Sequence, residues 1–429
     1  MIVTVTPNPA LDLTWHVASL EVGSTHRADA GVARAGGKGL NVARVAHAQG
    51  AAAIALTTYG GATGEEFAAE LDASGVPHVL VPVAAATRRS IALVDESLGD
   101  TTVVNEYGIA PADAEWAALT DAMAAALAAG ARAADDAEKP DSARETARAQ
   151  VSHAESDFSA SERGADADSA DVLVISGSFP PGTPEHLLPA LIRLGRDAGA
   201  TVIVDTSGPS LLVAADAGAS VLKPNEHELR DATGLDDPIE GARELLRRGA
   251  ELVLVSLGAE GMLAVSVAPS VAGPAASARY EMGADTPHVG RIPASGPTSG
   301  VSAPEMHRDA AAKRPPLSIL HARLDTALAG NPTGAGDAGV AACAVLLDAG
   351  IRDPERILRR ATAWSAAAVL MPLAGEIHAS WPDLERTLAV APHLPGETSL
   401  PARDMTSGVQ SHAASEVSAD STSDPKESR

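Results

Sequence analysis

The sequence predicts an α/β protein: a central, mostly parallel sheet flanked by helices, with a small β subdomain at its side. Two observations carry this. From residue 171 onward, short runs that are apolar throughout (VLVISG, TVIVDTSG, ELVLVSLG) alternate with helical segments. Strands apolar on both faces belong to a parallel sheet covered on both sides. In the first third, the β-rich runs SIALVDE and TTVVNEYG flank the short loop LGD, the pattern of a hairpin.

Taken in order, IVTVT is a short buried strand ended by Pro7-Asn8-Pro9. A polar stretch follows to Ala35. GGKGLNVARVAHAQG, residues 36–50, reads as a glycine turn entering a helix whose apolar side is Leu40, Val42, Ala43, Val45 and Ala46, with Gly50 as its stop. AAIALTTYG is a strand and GEEFAAELDASG a second helix. The hairpin at residues 88–108, with residues 12–35, is expected to form a small antiparallel lid outside the main sheet. PEHLLPALIRLGRDAG and PIEGARELLRRG are helices between the later strands, and SVLKPNEHEL leads from a strand into polar residues. Three segments break the pattern: residues 130–170, residues 268–316 and a Ser- and Asp-rich tail at 395–429. Their composition favours disorder, and Ala and charged residues allow helix in the first. The expected folded domain is therefore 1–394.

The chain has 429 residues, a formal net charge of −24 and 45% hydrophobic residues, but only 2% aromatic ones. The core must be built from Ala, Val, Leu and Ile. No Lys/Arg cluster offers the basic patch of a nucleic-acid binder, and an acidic surface is ordinarily solvated. With one cysteine, Cys343, neither an internal disulfide nor a Cys-based zinc site can form. No 18-residue apolar stretch is present, so no membrane span is expected. The opening MIVTVTPNPALD has no basic n-region, which reads as a strand and not a signal peptide; the cytoplasm is the expected location.

The chemistry concentrates in GNPTGAGDAG, residues 330–339. GAGDAG formally matches G-x-G-x-x-G, but no acidic partner stands about 20 residues on, as a dinucleotide site requires. No G-x-x-x-x-G-K-[ST] loop occurs. Glycines at the mouth of a helix turn backbone N–H groups towards one point and make an anion site. Asp337 inside such a site fits a general base beside a cradle for a transferring phosphoryl group. The alternative is a plain helix cap, for which Asp is common. Other stretches favour the first reading. Gly37, Lys38 and Asn41 combine close backbone approach, positive charge and an amide, suited to a polyhydroxylated, phosphorylated ligand. Asp12 can accept from sugar hydroxyls. SGSFPPG, LKPNEHE and SLGAEG follow three predicted strands, at the ends where α/β proteins bind ligands.

With these residues assembled, the chain resembles the ribokinase-like (PfkB) sugar kinases, in the branch of 1-phosphofructokinase and tagatose-6-phosphate kinase. The carriers, in order, are TPNPALDLT, AGGKGLNVARV, TRRSIALV, NEYG, SGSFPPG, VIVDTSG, LKPNEHEL, VSLGAEG and NPTGAGDAGVAA. The resemblance implies a ribokinase-like fold and ATP as phosphoryl donor with Mg2+. Asp337 would be the base, and Gly334, Ala335 and Gly336 the anion hole together with the Asp337 amide. Asp12, Gly37, Lys38, Asn41 and Ser178 would hold the sugar, with Arg88 on its existing phosphate. Lys223, Asn225, Ser256, Gly258 and Gly261 would line the nucleotide site. Asn225 and Glu228 would organise Mg2+ through water. The lid would close over the sugar and pair two chains into a homodimer. Two cationic groups, Lys38 and Arg88, point to an acceptor already phosphorylated: fructose 1-phosphate first, then tagatose 6-phosphate. The sequence departs from many relatives at Ser90, where they carry Asn. It also departs near Thr102, where 6-phosphofructokinase relatives carry a second phosphate-binding Arg. A catalytically silent sugar-phosphate sensor on the same fold would tend to have lost the base and anion hole, which are present.

Overall fold

In the computed structural model, residues 1–138, 171–268, 316–326 and 328–393 are described. The N-terminal half comprises β1 (Ile2–Thr6), β2 (Ala10–Val17), β3 (Val32–Gly36), α1 (Lys38–Ala48), β4 (Ala53–Tyr59), α2 (Gly61–Ser74), β5 (His78–Pro82), β6 (Arg88–Asp95), β7 (Asp100–Asn105) and α3 (Asp113–Glu138). The rest comprises β8 (Val172–Ser176), α4 (Leu187–Asp197), β9 (Thr201–Asp205), α5 (Pro209–Asp216), β10 (Val221–Leu222), α6 (Glu226–Thr233), α7 (Pro238–Arg248), β11 (Leu252–Ser256), β12 (Met262–Val267), β13 (Leu317–Arg323), α8 (Ala335–Asp348), α9 (Pro354–Val369), α10 (Trp381–Thr387) and β14 (Ala389–Pro392).

The described residues form a ten-stranded sheet in the order β14-β13-β12-β11-β10-β9-β8-β1-β4-β5. From β5 to β11 every neighbouring pair is parallel; β12, β13 and β14 add antiparallel strands at one edge. β1, β8 and β9 are buried along their whole length, as strands covered on both faces must be. The strand order reverses beside β1, between β4 and β8, which opens a crevice at the C-terminal ends.

Scarcity of aromatic residues is met by close helix packing. α8 is buried from Asp337 to Leu347, and Ala, Val and Leu dominate the cluster it joins with α9 and the sheet. A methyl at Gly339 would lie 2.6 Å from Ser365 Oγ, so only a hydrogen there lets α8 approach α9 this closely.

A second sheet, in the order β3-β2-β6-β7, is the small β subdomain. The β6–β7 hairpin is antiparallel as the sequence predicts, but β2 and β6 run parallel over eight residues, from Ala10 opposite Arg88 to Val17 opposite Asp95. The sheet is therefore mixed. Between these strands the chain passes through β3, α1, β4, α2 and β5, the long crossover that a parallel pair requires and a tight turn cannot supply.

Met1–His393 forms one compact unit, and residues 394–429 lie outside the described residues. The irregular segments expected at 130–170 and 268–316, and the tail, also fall almost wholly outside them. At their described margins, α3 continues helically to Glu138. β12 and β13 stay paired as far as Ala268, whose N–H donates to the Pro316 carbonyl at 2.8 Å.

Candidate active site

Because β1, β8, β9, β10 and β11 are parallel, their C-terminal ends share one edge, and the chain turns polar at each. Thr6 leads to Asn8, Ser176 to Ser178, Asp205 to Thr206, Leu222 to Lys223, and Ser256 closes β11. Between these ends and β6 opens a cleft of about 510 Å³ of empty space, lined by Asn8, Gly37, Lys38, Arg88, Ser178 and Glu228 among others.

Gly334 begins α8 in the left-handed region, at φ +85°. A Cβ there would lie 2.8 Å from the Ala374 Cα. Gly334→Val is therefore expected to distort the helix start and abolish turnover while the sheet still melts cooperatively, a separation read by assay and thermal unfolding together. The turn uses the Ala335 amide, which donates to the Pro332 carbonyl at 3.2 Å; that amide, expected in the anion hole, is spent on local structure. The amides of Gly334, Gly336 and Asp337 have no acceptor among the described residues, and they form the open positive end of the helix.

The Asp337 side chain is buried at 5% exposure. Asn41 Nδ2 donates to its Oδ2 at 2.8 Å, which orients the carboxyl and leaves Oδ1 for a ligand. Burial pushes its pKa up to about 7, and the Asp205 charge adds to this, against opposing pulls from Lys38, Asn41 and Lys223. A carboxylate so placed exchanges its proton near neutrality, as a general base should.

Lys38 Nζ lies 3.4 Å from Asp205 Oδ1 and 3.6 Å from Glu228 Oε1. Asp205 holds this ammonium above the usual lysine range, despite burial. For the fully buried Asp205, burial alone would raise the pKa, but Lys38, Lys223 and the Ser176 hydroxyl, donating at 3.0 Å, outweigh it and keep the carboxylate ionised. Asp205 was not among the residues expected from the sequence. Its signal there is faint: a lone acid ending the apolar run TVIVD.

On the lid side, Asp12 faces Gly36, where a Cβ would fall 1.9 Å from Asp12 Oδ2. Burial pushes Asp12 up to about 6, partly offset by the Arg88 charge. Arg88 donates from Nε and Nη2 to the Asn8 carbonyl at 3.4 and 3.3 Å, and from Nη1 to the Glu106 carbonyl at 3.2 Å. Asn8 Nδ2 in turn reaches Ser178 Oγ at 3.4 Å. Neutral carbonyls fix the guanidinium, and the nearby Asp12 and Glu106 carboxylates offset only part of its charge, which suits capture of an anion. Asn8, another residue the sequence reading did not single out, thus tethers both Arg88 and Ser178.

On the other side, Lys223 Nζ donates to Ser256 Oγ at 3.2 Å, and a methyl at Gly336 would sit 3.2 Å from that ammonium. Lys223 therefore abuts the start of α8. Gly258 and Gly261 bound a single helical turn beyond Ser256, outside the lining of the cleft; at Gly261, φ +91°, a Cβ would meet the Ala322 carbonyl at 2.0 Å. Asn225 and Glu228 form a capping box: Glu228 N–H donates to Asn225 Oδ1 at 2.8 Å and Asn225 N–H to Glu228 Oε2 at 2.9 Å. The box leaves Glu228 Oε1 facing the cleft beside Lys38. Among the described residues no group of three or more His, Cys, Asp or Glu could hold a metal directly. A cation held mostly by water and a ligand's phosphates, the habit of Mg2+, fits this donor set; a fully protein-ligated ion does not.

The family model "pfkB family carbohydrate kinase" matches residues 7–155 and 142–279. The chain is 37% identical over 272 residues to a 1-phosphofructokinase of Haloferax volcanii, covering 62% of this chain and 73% of that one. It is 32% identical over 273 residues to an ATP-dependent 6-phosphofructokinase isozyme 2 of Mycobacterium tuberculosis, covering 61% and 67%. Escherichia coli phosphofructokinase-2, solved with fructose-6-phosphate, superposes with a TM-score of 0.63 at 24% identity, over 90% of this chain and 98% of that one. A ribokinase of Thermotoga maritima superposes at 0.53 with 17% identity, over 90% and 99%. The described residues contain no helix long and apolar enough to cross a membrane. With its parallel sheet, small β sheet and glycine-flanked aspartate at a helix start, the chain belongs to the pfkB family of carbohydrate kinases.

Proposed function

We propose that the protein transfers the γ-phosphoryl group of ATP to a ketohexose phosphate, with fructose 1-phosphate, yielding fructose 1,6-bisphosphate, as the preferred acceptor. The observation that carries this is the buried Asp337 carboxylate with its pKa near 7, set against free helix amides and beside a cleft that also holds Lys38 and Arg88. Arg88 binds the phosphate already on the sugar, and Asp12, Asn41 and the Gly37 backbone position its hydroxyls. Asp337 Oδ1 takes the proton of the attacking hydroxyl as its oxygen bonds to phosphorus and the bond to the ADP oxygen breaks. The Gly334, Gly336 and Asp337 amides stabilise the charge on the moving phosphoryl oxygens. Lys223, Asn225 and Ser256 flank the nucleotide, with Gly258 and Gly261 on the turn beyond. Glu228 Oε1, with Asn225 nearby, would hold Mg2+ through water, and the ion would supply neutralisation of phosphate charge. The β2–β3 and β6–β7 lid excludes water. Its outer strand β7 is exposed, with Val103 and Val104 on its surface, and is the face through which two chains would pair.

Fructose 1-phosphate leads because relatives named 1-phosphofructokinase from Haloferax volcanii and Xanthomonas campestris stand at 37% and 33% identity. Tagatose 6-phosphate and fructose 6-phosphate are the alternatives. ATP consumption by the full chain with Mg2+ on these three sugars and on free fructose decides. Turnover only on free sugars would overturn the proposal, and binding without turnover would indicate a sensor. In the same assay Arg88→Gln is expected to raise KM for the phosphorylated acceptor roughly tenfold or more, as loss of a charge-assisted phosphate contact should, with a much smaller effect on KM for ATP.

A further inference from the structure

At the opposite end of α8 from Asp337, a groove lies between α8, α9 and α10, with about 670 Å³ of empty space. It is lined by Leu346, Arg356, Arg359, Arg360, Glu385 and Arg386. Four guanidinium groups around one opening are unexpected in a chain of net charge −24, and none belongs to the catalytic cleft.

Their partners show which charges are consumed. Arg360 is 8% exposed; its Nε donates to Glu385 Oε1 at 2.8 Å, and its guanidinium lies 4.7 Å from the centre of the Trp381 ring. Arg359 Nη1 donates to the carbonyls of Leu388 and Glu385 at 2.9 and 3.4 Å, with only a long 3.5 Å contact from Nη2 to Glu355. Neutral acceptors thus fix this guanidinium and leave its charge largely uncancelled. Arg386 pairs with Asp383 at the exposed rim. The Arg356 side chain is exposed and has no ion pair or hydrogen bond among the described residues. The groove therefore presents one free guanidinium, one held by carbonyls, and two more within its lining.

We propose that this groove is a second anion site, for the phosphoryl group of a small molecule. Planar guanidinium forks match phosphate oxygens two at a time, and two of the four forks are already held in place by Glu385, Trp381 and main-chain carbonyls. Trp381 is covered by Arg360 and also stands edge-on to Trp364, ring centres 5.7 Å apart. No aromatic ring is among the residues that line the groove, so the recognition is of phosphate and not of a nucleobase. The shared chemistry covers free phosphate and a phosphate monoester.

Inorganic phosphate titrated calorimetrically into the full chain tests this, with Arg88→Gln and the double variant Arg356→Gln/Arg386→Gln run separately. Both groove positions are exposed on helix surfaces, so thermal melting should match wild type and exclude misfolding. The expected result is a phosphate site that survives Arg88→Gln and weakens about tenfold or more in the double variant. Binding unchanged in the double variant, or absent from Arg88→Gln, would overturn the proposal by placing all phosphate in the catalytic cleft. Glycerol 3-phosphate run alongside separates the sources: tighter binding than inorganic phosphate indicates a monoester, equal or weaker binding the free ion.

Discussion

Asp337→Asn is expected to lower kcat by roughly 10²–10⁴-fold, the range a positioned general base supplies, with the fold and the binding of both substrates retained. The substitution keeps the shape of the side chain and an oxygen for the Asn41 amide at 2.8 Å, so proton acceptance is what is lost. In the wild-type chain, kcat/KM is expected to rise with pH and level off above the Asp337 pKa of about 7, since only the ionised carboxylate can take the hydroxyl proton. The same shift fixes the sign of a stability effect. The folded chain keeps this proton up to about pH 7 and the unfolded chain only to its ordinary value of 3.8. Asp337 therefore contributes stability at low pH that is lost as pH rises between those values. Asp337→Asn has no such proton to lose, so its melting temperature relative to wild type should climb from about pH 4 to about pH 7 and then stay level. Unchanged turnover would reduce Asp337 to a helix-start residue. A pH-independent melting difference would place its pKa in the ordinary carboxylate range.

Asp205→Ala is expected to destabilise the chain by about 3 kcal/mol, the cost of breaking a buried pair and leaving one charge behind. The lower end of that range applies because the Lys38 side chain is 40% exposed and water can partly solvate it. Lys38 would then lean on Glu228 Oε1, 3.6 Å away, and leave its place in the cleft, so turnover should fall as well. Chemical denaturation of Asp205→Ala, Lys38→Met and the double variant reads the coupling directly. If the stranded ammonium is the source of the cost, the double variant will be more stable than Asp205→Ala alone. Additive losses would show that the two side chains do not depend on each other.

Much of this arrangement was legible in the chain. The strands VLVIS and TVIVD declare themselves because both their faces are covered, and the helix starts because glycine, proline and Asn or Asp caps act within a few residues. GNPTGAGDAG was legible as a candidate site because its glycines, amides and carboxylate are contiguous. The pairing of β2 with β6 was not, since it joins segments separated by β3, α1, β4, α2 and β5, and local alternation cannot report the direction of a distant neighbour. Nor was the use of the Ala335 amide, which depends on how Pro332 closes the turn.

The sequence alone determined the element types, the parallel sheet and the place of Asp337 as candidate base, all consequences of short-range periodicity and turn chemistry. Only the tertiary structure decided what the charges do. Lys38 meets Asp205 across 167 residues of chain, Asn41 meets Asp337 across 296, and α9 and α10 bring four arginines to one groove. A carboxylate's pKa is set by the water it loses and the charges it meets. Both arise only when distant segments are buried together, which is why Asp205 stays ionised and Asp337 is tuned to neutrality.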